Sequence, residues 1–280
     1  MKKSTKIALA AAGATAAAAG TAYVLSLRCR KGNPTLDVLR QYRFAHRGYY
    51  EKGVVPENSL PAFRRAVERG WGIELDVHLL KDGTLAVLHD SDLARMTGAE
   101  GVVEDLDLAG LMQLRLDGTE EQIPTFNQVL QVVNGKTPLI IELKTTAENR
   151  EALVKTICER LDRYDGTYCI ESFDPKAIAV LAELRPEVCR GVLARNFLKE
   201  PFGLKLPQQI LATNMNFNFQ AQPDFVAYNF ADRALMSNQV CQKLWGVQSV
   251  SWTIRSREEL DECEREGSIP IFEGFDPDAE

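Results

Sequence analysis

A short β-type run recurs eight times along this chain, with helical stretches between the runs. The runs are residues 43–46, 72–76, 138–143, 167–172, 189–193, 224–229, 247–252 and 269–272. Residues 124–133, 148–161, 175–184, 235–244 and 256–265 read as amphipathic helices. Another helix opens at Asn58-Ser59, which offers an N-cap. It shows Leu60, Phe63, Ala66 and Val67 on one face and stops at Gly70. Eight strands alternating with helices over about 240 residues predict a (β/α)8 barrel. A doubly wound open sheet competes with it, but no glycine-rich phosphate fingerprint follows the first run.

One further run, Leu85-Ala86-Val87-Leu88-His89, does not fit as a barrel strand. Only Lys81-Asp82-Gly83 and their neighbours separate it from the strand ending near Leu79, and a parallel crossover needs a dozen residues or more. The run is therefore expected to fold back as an antiparallel hairpin with its turn at Asp82-Gly83. Pairing across that turn sets residue 89 opposite residue 75. Residues 77–123 become an insertion after the second strand, with a loop over 97–105 and a short helix near 108–114. It lies at the C-terminal face of the barrel, where active sites of this architecture sit.

The N-terminus reads as a separate object. Residues 1–31 carry six of the 33 Lys and Arg and no acid, so 27 basic residues face 39 acidic ones in the rest. An acidic body argues against nucleic acid as a partner, because phosphate neutralisation needs a basic face. From Ile7 to Leu27 the chain is uncharged and Ala-rich, with lysines before it and Arg28, Arg30 and Lys31 after it. About 20 such residues suffice for a membrane-spanning helix. Its length and basic stop favour an uncleaved membrane anchor, with a cleaved signal peptide of a secreted protein and an Ala-rich tail as alternatives. The catalytic unit is then expected over 40–280. Six cysteines without CxxC spacing read as reduced, buried thiols.

Chemistry concentrates in four segments. His46-Arg47-Gly48 ends the first strand. In Glu74-Leu75-Asp76 the two carboxylates share one face, because strand side chains alternate. Leu88-His89-Asp90 ends the hairpin. In Glu142-Leu143-Lys144 the two charges again share a face of an otherwise apolar strand. Carboxylates facing into a barrel are costly unless paired or metal-bound. Together the segments bring three carboxylates, a lysine, an arginine and two histidines to neighbouring strand ends.

These segments, with Pro56-Glu57-Asn58-Ser59, Lys81-Asp82-Gly83, Ser172-Phe173-Asp174 and Ser251-Trp252-Thr253, resemble the glycerophosphodiester phosphodiesterase family in order and spacing over residues 42–275. The resemblance implies a barrel of the phospholipase C-like phosphodiesterase type. It implies metal-dependent hydrolysis of glycerophosphodiesters to sn-glycerol 3-phosphate and an alcohol. By the same resemblance His46 and His89 are the catalytic pair, and Glu74, Asp76 and Glu142 hold a divalent metal. Arg47 and Lys144 fall on phosphate-contacting positions. The chain departs from the family pattern at Ile254-Arg255 and at the segment Phe272–Pro277, which bears on headgroup preference.

These residue types suit the chemistry. A hard cation on three carboxylates neutralises an anionic phosphodiester and polarises its phosphoryl oxygen. Oxygen ligands without thiolates select Mg²⁺ or Ca²⁺. Arg47 can grip a phosphate oxygen. His46 and His89 can divide the proton transfers, in an order left open here. His78 shares the parity of Glu74 and Asp76 but reads as a hairpin residue. Glu57 is a candidate for metal or glycerol, and Asn58 for a helix cap. Trp252 is expected on the substrate, and with Phe217 and Phe219 it would line an apolar groove if the enzyme were instead a lysophospholipase D. A catalytically silent binding barrel predicts a missing histidine or carboxylate, and all five are present.

Overall fold

The computed structural model describes Thr15 and residues 17–279. Nine strands form one sheet: β1 (Phe44–Ala45), β2 (Gly72–Leu79), β3 (Leu85–Val87), β4 (Leu139–Leu143), β5 (Tyr168–Ser172), β6 (Arg190–Ala194), β7 (Phe225–Asn229), β8 (Gln248–Ile254) and β9 (Ile269–Phe272). All but β3 run parallel. β1 pairs with both β2 and β9, which closes an eight-stranded barrel.

Strand alternation sorts side chains into two layers. Outward residues such as Ile73, Leu75, Ile141 and Ile170 pack under the helices. Inward residues, among them Phe44, Ile140, Cys169, Leu193, Phe225 and Ile271, fill the barrel. This apolar plug occupies the lower strand positions. Polar inward residues are left for the C-terminal ends, where Glu74, Asp76 and Glu142 stand. Helices at Phe126–Val133, Arg150–Leu161, Pro175–Leu184, Met236–Lys243 and Arg257–Arg265 lie within two residues of expectation at either end.

The extra strand is antiparallel, as the short turn requires. β3 pairs with β2 through Val77↔Val87, His78↔Ala86 and Leu79↔Leu85. The same register continues in the hydrogen bond from Leu88 N to the Asp76 carbonyl, and it carries His89 back towards residue 75. The residues after β3 build a small core of their own around Leu88, Leu93, Met96, Val103, Leu111 and Leu116.

The N-terminal stretch differs from expectation. Among the described residues no helix is long and apolar enough to cross a membrane. The anchor expected over Ile7–Leu27 is corrected on that ground, and with it the membrane as a partner and a membrane-anchored location. Residues 7–14 and 16 of that stretch lie outside the described residues. Of its described residues, 17–22 and Leu25 are exposed, and the end of the stretch packs on the barrel: Leu27 is buried against Met215, Val226, Tyr228 and Cys241, with Tyr23 partly buried beside it. Trp245 donates its indole N–H to the Val24 carbonyl at 3.0 Å. All six cysteines are free and buried.

Arg30 extends this contact to the bottom of the barrel. Its guanidinium makes two hydrogen bonds of 2.6 Å to Asp224, whose side chain is fully buried. Breaking a buried pair from one side strands the other charge. Arg30→Met is therefore expected to lower unfolding stability by about 3 kcal/mol, read from urea denaturation. A loss below measurement error would show that Asn33 and the Arg190 N–H, which also donate to Asp224, suffice alone.

Candidate active site

Three buried carboxylates form the centre. β2 presents Glu74 and Asp76 inward, and β4 sets Glu142 in register with Asp76. Each offers one oxygen, and the three oxygens lie within 4.8 Å of one another. Lys144 Nζ stands against them, 2.7 Å from Glu142 Oε1 and 3.0 Å from Asp76 Oδ1. The second of these is an ion-pair distance without hydrogen-bond geometry, so Asp76 Oδ1 accepts no hydrogen bond.

The electrostatics express that crowding. Burial raises the Glu74 carboxyl well above its ordinary range, and Asp76 and Glu142 add to it. Burial also pushes Glu142 up, to about 7. Asp76 goes the other way: burial opposes its charge, but Lys144, Arg47 and a hydrogen bond from Asn58 hold it ionised. Three buried carboxylates share the Lys144 ammonium and an Arg47 guanidinium that is also bound to Glu57, and so are short of positive charge. An oxygen-only donor set with a free Asp76 lone pair fits a hard divalent cation such as Mg²⁺ or Ca²⁺.

Two imidazoles flank this centre. His46 follows β1, and its Nδ1 lies 2.5 Å from Glu273 Oε2, just beyond β9. An ionised carboxylate only accepts, so Nδ1 carries the proton. Nε2 is left with its lone pair, 3.9 Å from Glu74 Oε2. His89 repeats the pattern with Asp90 Oδ1 at 2.6 Å. Burial lowers the His46 pKa and takes His89 down to about 4. Burial acts against ionised Glu273, yet that carboxyl is held at about 2. With His46 uncharged at neutral pH, the hydrogen bond itself and Arg255, 2.7 Å from Oε1, account for this.

Arg47 and Gly48 turn the chain out of β1 in two left-handed steps, with φ of 56° and 80°. Gly48 is required twice over. Its φ disfavours a side chain, and a Cβ there would stand 3.0 Å from Ala62 and Phe63. The turn aims the Arg47 N–H at Glu74 Oε2, 2.9 Å away, and its guanidinium at Glu57. Arg47 Nε is buried without a hydrogen-bond partner, 3.7 Å from Asp76 Oδ2.

The profile of the Glycerophosphoryl diester phosphodiesterase family matches residues 46–272. The chain belongs to this family. It is 31% identical over 237 residues to a glycerophosphodiester phosphodiesterase of Caldanaerobacter subterraneus, covering 80% of this chain and 89% of that relative. The fold is similar to an Oleispira antarctica phosphodiesterase solved with the product sn-glycerol-3-phosphate. That likeness has a TM-score of 0.68 at 24% identity, over 83% of this chain and 92% of the other. A structure from Silicibacter pomeroyi shares the fold with a TM-score of 0.68 at 22% identity, over 86% of this chain and 94% of the other.

His46, His89, Arg47, Glu74, Asp76, Glu142 and Lys144 come together at one end of the barrel. Lys144 lies against the carboxylates rather than alone over the pocket. Trp252 stands apart, on the wall of a cavity of about 310 Å³ shared with Arg195, Lys199 and Arg255. Its indole N–H is used by the Ala227 carbonyl, so its ring is what remains for a ligand. Its aromatic neighbours are Phe173 directly, at 5.6 Å between ring centres, and then Phe197 and Phe202. Phe217 and Phe219 are not in that group.

Four residues do more than the sequence suggested. Ser59, not Asn58, caps the helix at Leu60–Glu68. Asn58 is fully buried and donates to Asp76 Oδ2 at 2.8 Å. Glu57 bridges Arg47 and Arg95 instead of joining the carboxylate cluster. Arg95, from the insertion, also grips Asp90 behind His89. Glu273 belongs to a segment assigned above to headgroup preference, yet it contacts His46. A carboxylate directly after the last strand was the available signal, because β9 neighbours β1. His78 is buried between Glu104, at 2.7 Å, and the His89 carbonyl, consistent with a hairpin residue.

Proposed function

We propose that this protein hydrolyses glycerophosphodiesters to sn-glycerol 3-phosphate and an alcohol with a divalent cation held by Glu74, Asp76 and Glu142. The observation that carries this reading is the convergence of three buried carboxylate oxygens within 4.8 Å, flanked by two carboxylate-bound histidines, in a member of this family. When bound, the cation neutralises the phosphodiester and polarises the P–O bond under attack.

The chain's own residues supply the rest. Arg47, whose Nε makes no hydrogen bond, donates to a non-bridging phosphate oxygen. Lys144 offsets the charge of Asp76 and Glu142 and presents a second cation to the same phosphate. Glu273 and Asp90 hold the Nδ1 atoms of His46 and His89, which leaves both Nε2 atoms for proton transfer. One Nε2 takes the proton of the attacking hydroxyl; the other imidazole first takes a proton from solvent onto Nε2, its cationic form held by Glu273 or Asp90, and gives that proton to the departing alkoxide. Trp252 borders the path of the leaving alcohol with its ring. The catalytic unit is residues 40–280, with 77–123 as an insertion that delivers His89 and Arg95.

The test is direct. Purified protein is expected to release sn-glycerol 3-phosphate and choline from glycerophosphocholine in the presence of Mg²⁺ or Ca²⁺. Release of phosphocholine, or no turnover of any glycerophosphodiester with either cation, would overturn the reading.

A further inference from the structure

The barrel interior holds a fourth carboxylate that the site described above does not use. Glu171 shares the inner face of β5 with Cys169, which packs in the barrel core, while Ile170 between them packs outward. Asp76 pairs in register with Glu142, and Glu142 with Glu171. Three adjacent parallel strands, about 4.8 Å apart, thus carry a row of three carboxylates. The row stops at β6. Gly191 stands opposite Glu171, and the Phe225 ring fills the space above it, 2.1 Å from where a Cβ would be. Glu171 therefore has an aromatic wall on one side and the acidic centre on the other.

Its surroundings do not satisfy it. Glu171 is 1% exposed, and its Oε2 has no hydrogen-bond partner. The charged groups facing it are Glu142, Asp76, Glu74 and Lys144. Lys144 is already in contact with Asp76 and Glu142. A buried carboxylate oxygen without a donor is unfavourable, and neighbouring carboxylates make it more so. A divalent cation on the triad would reverse the sign of that environment. The Glu171 oxygens are not among those converging within 4.8 Å, so Glu171 stands at the end of the row, beside the triad and outside it.

We propose that Glu171 is an outer carboxylate of the cation site, strengthening divalent binding by its charge and by a hydrogen bond to water in the cation's coordination sphere. The proposal rests on the triad reading above. Glu171 is a positioning residue, and its effect is on cation affinity. Partners behind the direct ligands of a metal typically contribute 10- to 100-fold to its affinity.

Calorimetric titration of the full chain with Mg²⁺ and with Ca²⁺ tests this. Glu171→Gln keeps the shape, removes the charge and adds an N–H donor for Glu142. It is expected to weaken both cations about 10- to 100-fold, with a metal-free melting temperature no lower than that of the native chain. Glu171→Asp keeps the charge and is expected to recover most of the loss, a rescue that a space-filling role would not produce. Should Glu171→Gln fail to fold, Glu171→Met fills the same volume without oxygens and carries the same expected loss. Affinities within twofold of native in either charge-removing variant overturn the proposal while leaving the triad intact. A native chain that binds neither cation overturns the triad reading and this proposal with it.

Discussion

Glu74→Gln, Asp76→Asn and Glu142→Gln are each expected to lower turnover by about a thousandfold or more. Several kilocalories of charge stabilisation at the phosphoryl group depend on the cation, and every 1.4 kcal/mol is about a factor of ten. The three substitutions should differ in their second effect. Asp76 also accepts from Asn58 and lies by Lys144 and Arg47, so Asp76→Asn should destabilise the metal-free chain. Glu74→Gln should not, since it relieves a crowded carboxylate. Chelation should abolish turnover in the native chain, and Mg²⁺ or Ca²⁺ should restore it. Because the cation binds the folded chain, it should raise the melting temperature, by an amount equivalent to about 2.7 kcal/mol at 100 times its dissociation constant. Turnover that survives exhaustive EDTA treatment would show that the carboxylates serve another purpose.

His46→Ala and His89→Ala are expected to cut turnover at least about a hundredfold each, with cation affinity largely retained. A nitrophenyl diester, whose leaving group departs unprotonated, should rescue the mutant lacking the general acid and not the one lacking the base. Equal rescue of both would defeat a division of the proton transfers. His78→Ala should lose less than about tenfold, because its imidazole is engaged by Glu104. Glu273→Gln tests the support behind His46. The Glu273 carboxyl lies at about 2 in the folded chain, against about 4.3 when unfolded. A depressed carboxyl stabilises the fold above the unfolded value, and that contribution fades as pH falls from about 4.3 towards 2. At most about 3 kcal/mol is involved. The variant should therefore be less stable than native at pH 6 and lose less on acidification. An unchanged difference between pH 6 and pH 3 would show that Glu273 carries no such load.

Much of this was legible because strands have a period of two. Glu74 and Asp76 could be set on one face, Glu142 and Lys144 on another, before any coordinates. The hairpin was legible because a five-residue connection, residues 80–84, admits only antiparallel pairing, which placed His89 beside β2. The N-terminal stretch misled because hydropathy does not say what an apolar side chain touches. Leu27 fits a bilayer by composition, but it packs on Tyr228 and Cys241. Asn58 was misassigned because two adjacent residues were both plausible caps, and only the left-handed turn at 58 sends its amide inward to Asp76.

What the sequence alone determined is the local and periodic part: the eight strands, the inward carboxylates, the two histidines at strand ends and the hairpin that returns one of them. These follow from backbone geometry that acts over a few residues. Only the closed barrel decided which distant residues meet. Closure sets β9 against β1, so Glu273 reaches His46 across 227 positions. It sets β4 between β2 and β5, so Glu171 continues the row begun by Asp76. It also sets the hairpin over the turn after β1, so Arg95 ties Glu57 to Asp90. Each of these contacts joins elements far apart in the chain, and no period or spacing along the sequence records which strand edges will pair.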